Sequence, residues 1–183
     1  MKSRHKFSLQ FDPARLCADL GRVAPDEWVR HYNQLHYEGE WSVAPLRSIG
    51  GRTKQIFPDP HAVEPFADTE ILARCDYIRE ALAALDCEKQ AVRLMRLGAG
   101  GKIREHRDYF MGAEHNCLRL HIPIATSDGV GFYHEGERVP MRAGELWYLD
   151  FGRLHSVENN GPTDRVHLVI DCGVSDWLLA ELA

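Results

Sequence analysis

Leu118-Arg119-Leu120-His121-Ile122 alternates apolar and polar side chains. Residues i and i+2 of a strand point to the same face, so Arg119 and His121 share one face while Leu118, Leu120 and Ile122 form the other. Arg165-Val166-His167-Leu168-Val169-Ile170 repeats the arrangement, with Arg165 and His167 opposite Val166, Leu168 and Ile170. In Ile103-Arg104-Glu105-His106-Arg107-Asp108, the imidazole of His106 and the carboxylate of Asp108 share a face. In one strand this pattern means only polar side out and apolar side in. Three such strands, followed by His155 at the end of a fourth, describe a sheet with one face in a core and the other turned to chemistry.

The surrounding chain has matching punctuation. Short segments at 91–97, 102–108, 118–125, 131–133, 145–150 and 165–171 are separated by Gly, Pro and Asn, the spacing of an antiparallel sandwich or barrel. Gly98-Ala99-Gly100-Gly101 lacks the Gly-Lys-Ser/Thr of a nucleotide loop and reads as a tight turn ahead of the His106 strand. Upstream, Phe7, Leu9 and Phe11 alternate with polar residues, and Asp12-Pro13 opens a helix as N-cap and first helical residue. Ile71, Cys75, Ile78, Leu82 and Leu85 recur at spacings of 4, 3, 4 and 3, which predicts an amphipathic helix over 69–85 capped by Asp68 or Thr69. Residues 41–68 read as irregular with short strands, including Gly50-Gly51 and a turn at Phe57-Pro58-Asp59-Pro60. The expected architecture is mostly β with flanking helices.

A length of 183 residues suits one domain, and 44% hydrophobic with 27% charged residues is an ordinary globular composition. Lys and Arg number 22 against 27 Asp and Glu, a net charge of -5, which argues against a broad basic surface for nucleic acid. No stretch approaches the about 18 apolar residues of a membrane span, and the basic Met1 to Lys6 run is not followed by a signal-peptide core. The five cysteines form no C-x-x-C pair and signal neither a disulfide framework nor a zinc knuckle, so a reducing cytoplasm is the expected location.

The ten histidines are the unusual component. His106-x-Asp108 with a distant His155 offers two imidazoles and one carboxylate, the facial set that leaves cis positions open on a non-haem Fe(II). Alone, this spacing is common. Arg165, ten residues beyond His155, adds what an oxygenase using 2-oxoglutarate needs, because a planar guanidinium binds a carboxylate through two hydrogen bonds and stays protonated. His167 either lines the pocket or completes a polar network. His5, His31, His36, His61, His115 and His134 have no partner at ligand spacing and default to surface or local hydrogen-bonding roles. Trp41, Arg47, Arg52, Lys54 and Arg93 are candidates for substrate contact, since an amino acid or acidic side chain needs a cation for its carboxylate. Trp147 and Tyr148 read as barrel packing.

Glu105-His-Arg-Asp108, Asn116-Cys-Leu-Arg-Leu-His-Ile-Pro123, Ala143-Gly-Glu-Leu-Trp-Tyr-Leu-Asp150, His155-Ser and Arg165-Val-His-Leu-Val-Ile-Asp-Cys172 together resemble the aspartyl/asparaginyl β-hydroxylase family of Fe(II)- and 2-oxoglutarate-dependent oxygenases, which includes bacterial proline hydroxylases. The resemblance implies a double-stranded β-helix, a jelly roll or cupin-like barrel. It implies iron ligands at His106, Asp108 and His155, and the distal carboxylate of 2-oxoglutarate on Arg165. Arg119 and His121 would approach the iron-chelating end of the cosubstrate. The implied reaction consumes O2 and hydroxylates a C–H bond, with release of succinate and CO2. Two departures stand out: animal members lack the carboxylate ligand that Asp108 supplies, and Met95 stands where they carry a Ser that helps hold the distal carboxylate.

The alternative is a cupin-type metalloenzyme or metabolite-binding protein that does not use 2-oxoglutarate. Against it, cupins usually have His where Asp108 stands, and Arg165 would lack a task. Residues 1–183 are expected to form a single domain, with 91–172 as the jelly-roll core and 1–90 as a helical and irregular support that sets substrate selectivity. Arg93, His167 and Trp41 are the substrate-contact residues expected from this reading. The size favours a small-molecule amino acid or a short peptide as substrate.

Overall fold

A computed structural model describes residues 1–57 and 62–183, and the statements below concern those residues. The turn expected at Phe57-Pro58-Asp59-Pro60 and the placement of His61 lie outside the described residues. Two antiparallel sheets form a jelly roll. The larger has eight strands: in spatial order β1 (Arg4–Gln10), β11 (Glu145–Leu149), β8 (Leu118–Ala125), β13 (Arg165–Cys172), β6 (Lys89–Leu97), β4 (Trp41–Ile49) and β2 (Val29–Arg30), with β5 (Phe66–Asp68) paired to β4. The smaller has five, β10 (Glu137–Arg138), β9 (Val130–His134), β12 (His155–Asn159), β7 (Lys102–His106) and β3 (Tyr37–Glu38).

The alternation predicted for β8 and β13 divides the interior in two. Leu118, Leu120 and Ile122 of β8 and Val166, Leu168 and Ile170 of β13 pack outward into the main core against Leu16, Ile71, Ile78, Leu82, Leu178 and Leu182. Those partners come from helices α1 (Pro13–Leu20), α2 (Glu70–Ala73), α3 (Asp76–Ala83) and α4 (Asp176–Leu182). Truncating a fully buried side chain here, such as Leu168→Ala, should cost about 2–5 kcal/mol. Between the sheets lies a second cluster that includes Trp41, Leu97, Ile103, Phe132, Phe151 and Val157. Arg119, His121, Arg165 and His167 necessarily face this inner space.

Helix α1 begins as expected, with the Asp12 carboxylate accepting from the Ala14 and Arg15 N–H groups and Pro13 in the first turn. The single helix expected over 69–85 is instead two. Thr69 caps α2, and α3 starts anew after Cys75, where the buried Asp19 carboxylate accepts from Ile78 N–H at 2.8 Å. That acceptor comes from another helix, so local periodicity could not reveal the break, although Ile71, Cys75, Ile78, Leu82 and Leu85 are all buried.

Residues 41–49, expected to lie in an irregular stretch with short strands, form the nine-residue strand β4 beside β6. Pro45 hides it from a sequence reading, because proline lacks the ladder N–H, and the register shifts between Pro45 and Arg47 to accommodate it. The first 90 residues thus contribute β1 through β5 to the two sheets as well as helices. β2, β3, β10, β12 and α4 have no counterpart in the sequence reading, and His155, expected at the end of a strand, instead opens β12. The Gly98–Gly101 turn is tight: a Cβ at Gly101 would lie 2.7 Å from a Leu97 methyl and 2.8 Å from the Gly98 carbonyl oxygen. Asn159 Nδ2 donates to the carbonyls of Leu97 and Gly98 and ties this turn to the end of β12. The β7 strand is thereby set beside β12.

Candidate active site

In β7 and β12, His106 and His155 are direct cross-strand partners, with ring centroids 4.3 Å apart. The His106 Nδ1 lies 2.8 Å from the Arg104 carbonyl oxygen and the His155 Nδ1 lies 3.0 Å from that of Arg153. A carbonyl can only accept, so each Nδ1 carries the proton and each Nε2 presents a lone pair. Asp108 follows β7 in a loop fixed by donation from its own N–H to the Phe151 carbonyl at 2.9 Å. One ligand-capable atom from each of His106, Asp108 and His155 falls within 4.8 Å of the others. Two neutral imidazole nitrogens and one carboxylate oxygen, with the imidazoles anchored through their second nitrogens, suit a divalent transition metal.

Burial favours a neutral His155 and pulls its pKa down to about 4. His106 is affected by burial in the same direction, but its bond to Asp108, its bond to the Arg104 carbonyl and the Asp108 charge together outweigh this and raise it. Burial, the largest single influence on Asp108, would raise it, but the Arg119 guanidinium together with the bond to His106 and the nearby imidazoles outweighs burial and holds the carboxyl well below the usual carboxylate range.

These three residues open onto a cavity of about 700 Å³ also lined by Arg165, Arg93, Arg119, His121, Trp41 and Met95. Arg165 is 3% exposed and has no carboxylate partner among the described residues. Its Nη2 donates to His167 Nδ1 at 2.8 Å and its Nε is unpartnered. Burial lowers its pKa to about 9, which still leaves it a cation at neutral pH. A buried guanidinium without a counter-charge is costly unless an anion completes it. His167 lies behind this cation, with Nδ1 3.2 Å from His121 Nδ1, while His121 stacks on Phe151 at 4.9 Å. Nε2 of both histidines is unpartnered.

Arg119 lies at the Asp108 end of the cavity, but its guanidinium is committed to protein carboxylates. It bonds Asp108 Oδ2 through Nη1, and Asp171 through Nε at 2.6 Å and Nη2 at 3.1 Å. Arg93 also bonds Asp171 through Nη2, leaving its Nε unpartnered. Of the remaining basic candidates, Arg47 pairs with Asp68 at 2.6 Å, Arg52 pairs with Glu64, and Lys54 donates to the Asp26 carbonyl at 2.5 Å; none of the three lines the cavity. Trp41 does line it, with His31 stacked on its ring at 3.5 Å. Asp171, His31, Phe132 and Phe151 were missed in the sequence. Asp171 carried a signal, since, four residues after His167 and two after Val169, it falls on the same strand face as Arg165 and His167. His134 is fully buried and donates through Nε2 to the Asp150 carbonyl at 2.9 Å, a local role.

Among the described residues no helix is long and apolar enough to cross a membrane. The L-proline cis-4-hydroxylase of Rhizobium meliloti is 28% identical over 165 residues, covering 89% of this chain and 58% of that protein. L-proline cis-3-hydroxylase 1 of a Streptomyces species is 26% identical over 176 residues, covering 93% of this chain and 60% of that protein. The chain therefore spans less than two thirds of the length of these curated relatives. A prolyl-4-hydroxylase structure from Pseudomonas putida superposes with a TM-score of 0.58 at 15% identity, covering 96% of this chain and 94% of that one. A 2OG-Fe(II) oxygenase-family structure from Burkholderia pseudomallei gives 0.55 at 18% identity, covering 93% and 85%. Both likenesses bear on the fold. The family model for aspartyl/asparaginyl beta-hydroxylase matches residues 15–173, nearly the whole chain, and on that match the chain belongs to the aspartyl/asparaginyl beta-hydroxylase family.

Proposed function

We propose that this chain is an Fe(II)- and 2-oxoglutarate-dependent dioxygenase that hydroxylates a C–H bond of an amino acid, free or within a short peptide, with release of succinate and CO2. The observation that carries the reading is Arg165, a buried cation without a carboxylate partner among the described residues, in the same cavity as the His106, Asp108 and His155 cluster. In this reading His106, Asp108 and His155 hold Fe(II), and Arg165 receives the distal carboxylate of 2-oxoglutarate. Bound iron supplies the redox chemistry with O2 that no protein side chain provides.

The protein's own part is binding, orientation and exclusion of water. Arg165 remains protonated and offers the charge that selects a dicarboxylate. Its Nη2 bond to His167 fixes the plane of the guanidinium. The Arg104 and Arg153 carbonyls hold the two imidazoles in the tautomer a metal needs. Phe132, Phe151, Val157 and Trp41 wall the cavity with apolar surface, which strengthens each charge interaction inside it. Arg93 and Trp41 face the same cavity and are the substrate contacts of this reading, with His167 acting behind Arg165. Residues 1–183 act as one domain, in which β4 carries Trp41 into the site.

The relatives' names support an amino acid substrate, proline being theirs. The test is succinate release from iron-loaded protein across free amino acids, proline included, and short peptides carrying Pro, Asp or Asn. Release stimulated by one class over the no-substrate background supports the reading. Absence of 2-oxoglutarate-dependent succinate with every substrate, in protein shown to bind the metal and 2-oxoglutarate, would sink it.

A further inference from the structure

Asp108 stands outside the strand ladder that fixes His106 and His155, so strand register does not determine which way its carboxylate turns. A guanidinium does. Arg119 Nη1 takes Asp108 Oδ2, while Asp108 Oδ1 remains 3.4 Å from His106 Nε2 on the side of the three-residue cluster. The carboxylate is thereby divided, one oxygen to the protein and one toward the metal position.

Arg119 is itself held. Asp171 lies directly opposite it in the β8–β13 register and binds it side-on, Oδ1 to Nε at 2.6 Å and Oδ2 to Nη2 at 3.1 Å. Arg93, from β6 on the far side of β13, bonds the same Asp171 Oδ2. Asp171 is 4% exposed and Arg93 6% exposed, so these are interior contacts in which water does not compete. Three adjacent strands thus carry Arg93, Asp171 and Arg119, and the alternating chain of charges ends on Asp108, in the loop beyond β7, whose other oxygen faces His106. Four side chains carry two positive and two negative charges, so the chain is neutral as a unit. Loss of Asp171 would leave two cations beside the position a divalent metal must occupy.

We infer that Asp171 is a positioning residue for the metal centre: through Arg119 it sets Asp108 to offer a single oxygen, and with Arg93 it keeps the surroundings electrically neutral. This inference rests on the metal reading of His106, Asp108 and His155 proposed above. It also gives Arg119 a task in the absence of 2-oxoglutarate, so the two can be separated by leaving the cosubstrate out.

The experiment is titration of the metal-free protein with Co(II) alone, without 2-oxoglutarate and without oxygen, followed by calorimetry and by the visible Co(II) spectrum. Asp171→Asn keeps the size and loses the charge; Arg119→Lys keeps the charge but loses the planar fork that grips Asp171 side-on while reaching Asp108. Each should raise the Co(II) dissociation constant about 10- to 100-fold and alter the visible band, with near-UV circular dichroism unchanged. Binding within about twofold of wild type, with the same spectrum, overturns the inference while leaving the metal reading intact. Wild-type protein that binds no Co(II) overturns both. If Asp171→Asn does not fold, Arg119→Lys decides by the same titration. Failure of both to fold makes the chain of charges a support of the sheet and overturns its positioning role.

Discussion

His106 and His155 stand opposite each other in the β7–β12 ladder, and each gives its Nδ1 proton to the carbonyl two residues before it, Arg104 and Arg153. The two Nε2 lone pairs are then directed by backbone geometry, and Asp108 supplies the third donor. Changes to groups that merely orient metal ligands already cost 10- to 100-fold in affinity or activity, so removal of a ligand should cost more. His155→Ala and Asp108→Ala are each expected to lower 2-oxoglutarate-dependent succinate formation by more than about 100-fold while the near-UV spectrum persists. Activity within tenfold of wild type in either variant would contradict the assignment.

Arg165 should show a second, opposite pair of effects. Charge-assisted hydrogen bonds are each worth about 1.5–3 kcal/mol, so Arg165→Met is expected to raise the KM for 2-oxoglutarate about 10- to 100-fold. The same substitution removes a buried cation with no counter-charge among the described residues, and the ligand-free melting temperature should hold or rise. In wild type, 2-oxoglutarate at 100 times its Kd should stabilise the metal-loaded protein by about 2.7 kcal/mol, a gain the variant loses. An unchanged KM, or a strongly destabilised ligand-free variant, counts against this role.

Legibility follows how far apart the cooperating residues lie. The faces of β8 and β13 could be read because a strand's period is local, and Leu118, Leu120, Ile122, Val166, Leu168 and Ile170 all enter the main core as the alternation requires. The grouping of His106, Asp108 and His155 followed from residue chemistry together with one long-range spacing. The task of Arg119 did not, because its partners are Asp171 on β13 and Asp108 beyond β7. Those contacts exist only once three segments are assembled. For the same reason His31, far from any ligand spacing, was set aside although it stacks on Trp41 in the cavity wall. The α2–α3 break and the strand around Pro45 likewise depend on partners remote in sequence, Asp19 in one case and β6 in the other.

Four imidazoles give the metal-free fold a defined acid response. Burial, aided by Arg165, holds His121 and His167 well below their ordinary pKa, burial with Arg93 brings His31 down to about 4, and burial brings His155 down to about 4 as well. In the unfolded chain these groups take up protons near pH 6.5, and in the folded chain they resist until much lower pH. The unfolded state therefore binds more protons below about pH 6.5, and the stability present above it is lost as pH falls, by up to about 1.36 kcal/mol per pH unit for each imidazole. The raised His106 works in the opposite sense. The carboxyls of Asp108 and Asp171, both lowered, titrate below this window. Urea unfolding of metal-free protein should show a midpoint that drops from pH 7.5 to pH 5, and His167→Gln should flatten the drop. A midpoint that is constant or rises toward pH 5 would refute it.

Met95 offers a gain-of-function test. On β6 it sits opposite His167 of β13, the residue whose Nδ1 accepts from Arg165, and it lines the same cavity. A thioether there gives a carboxylate no useful donor, whereas a serine hydroxyl would. One added hydrogen bond is worth about 0.5–1.5 kcal/mol, so Met95→Ser should lower the KM for 2-oxoglutarate about 2- to 10-fold. The substitution also removes apolar volume from the cluster between the sheets, against which Met95 packs, so the melting temperature should fall, within the about 2–5 kcal/mol of a Met→Ala truncation in a core. Tighter cosubstrate binding with a less stable protein is a combination that simple damage to the fold does not produce. Steady-state kinetics in 2-oxoglutarate and a thermal melt of the same preparation read both, and a raised KM would show that the distal carboxylate does not lie against β6 at this position.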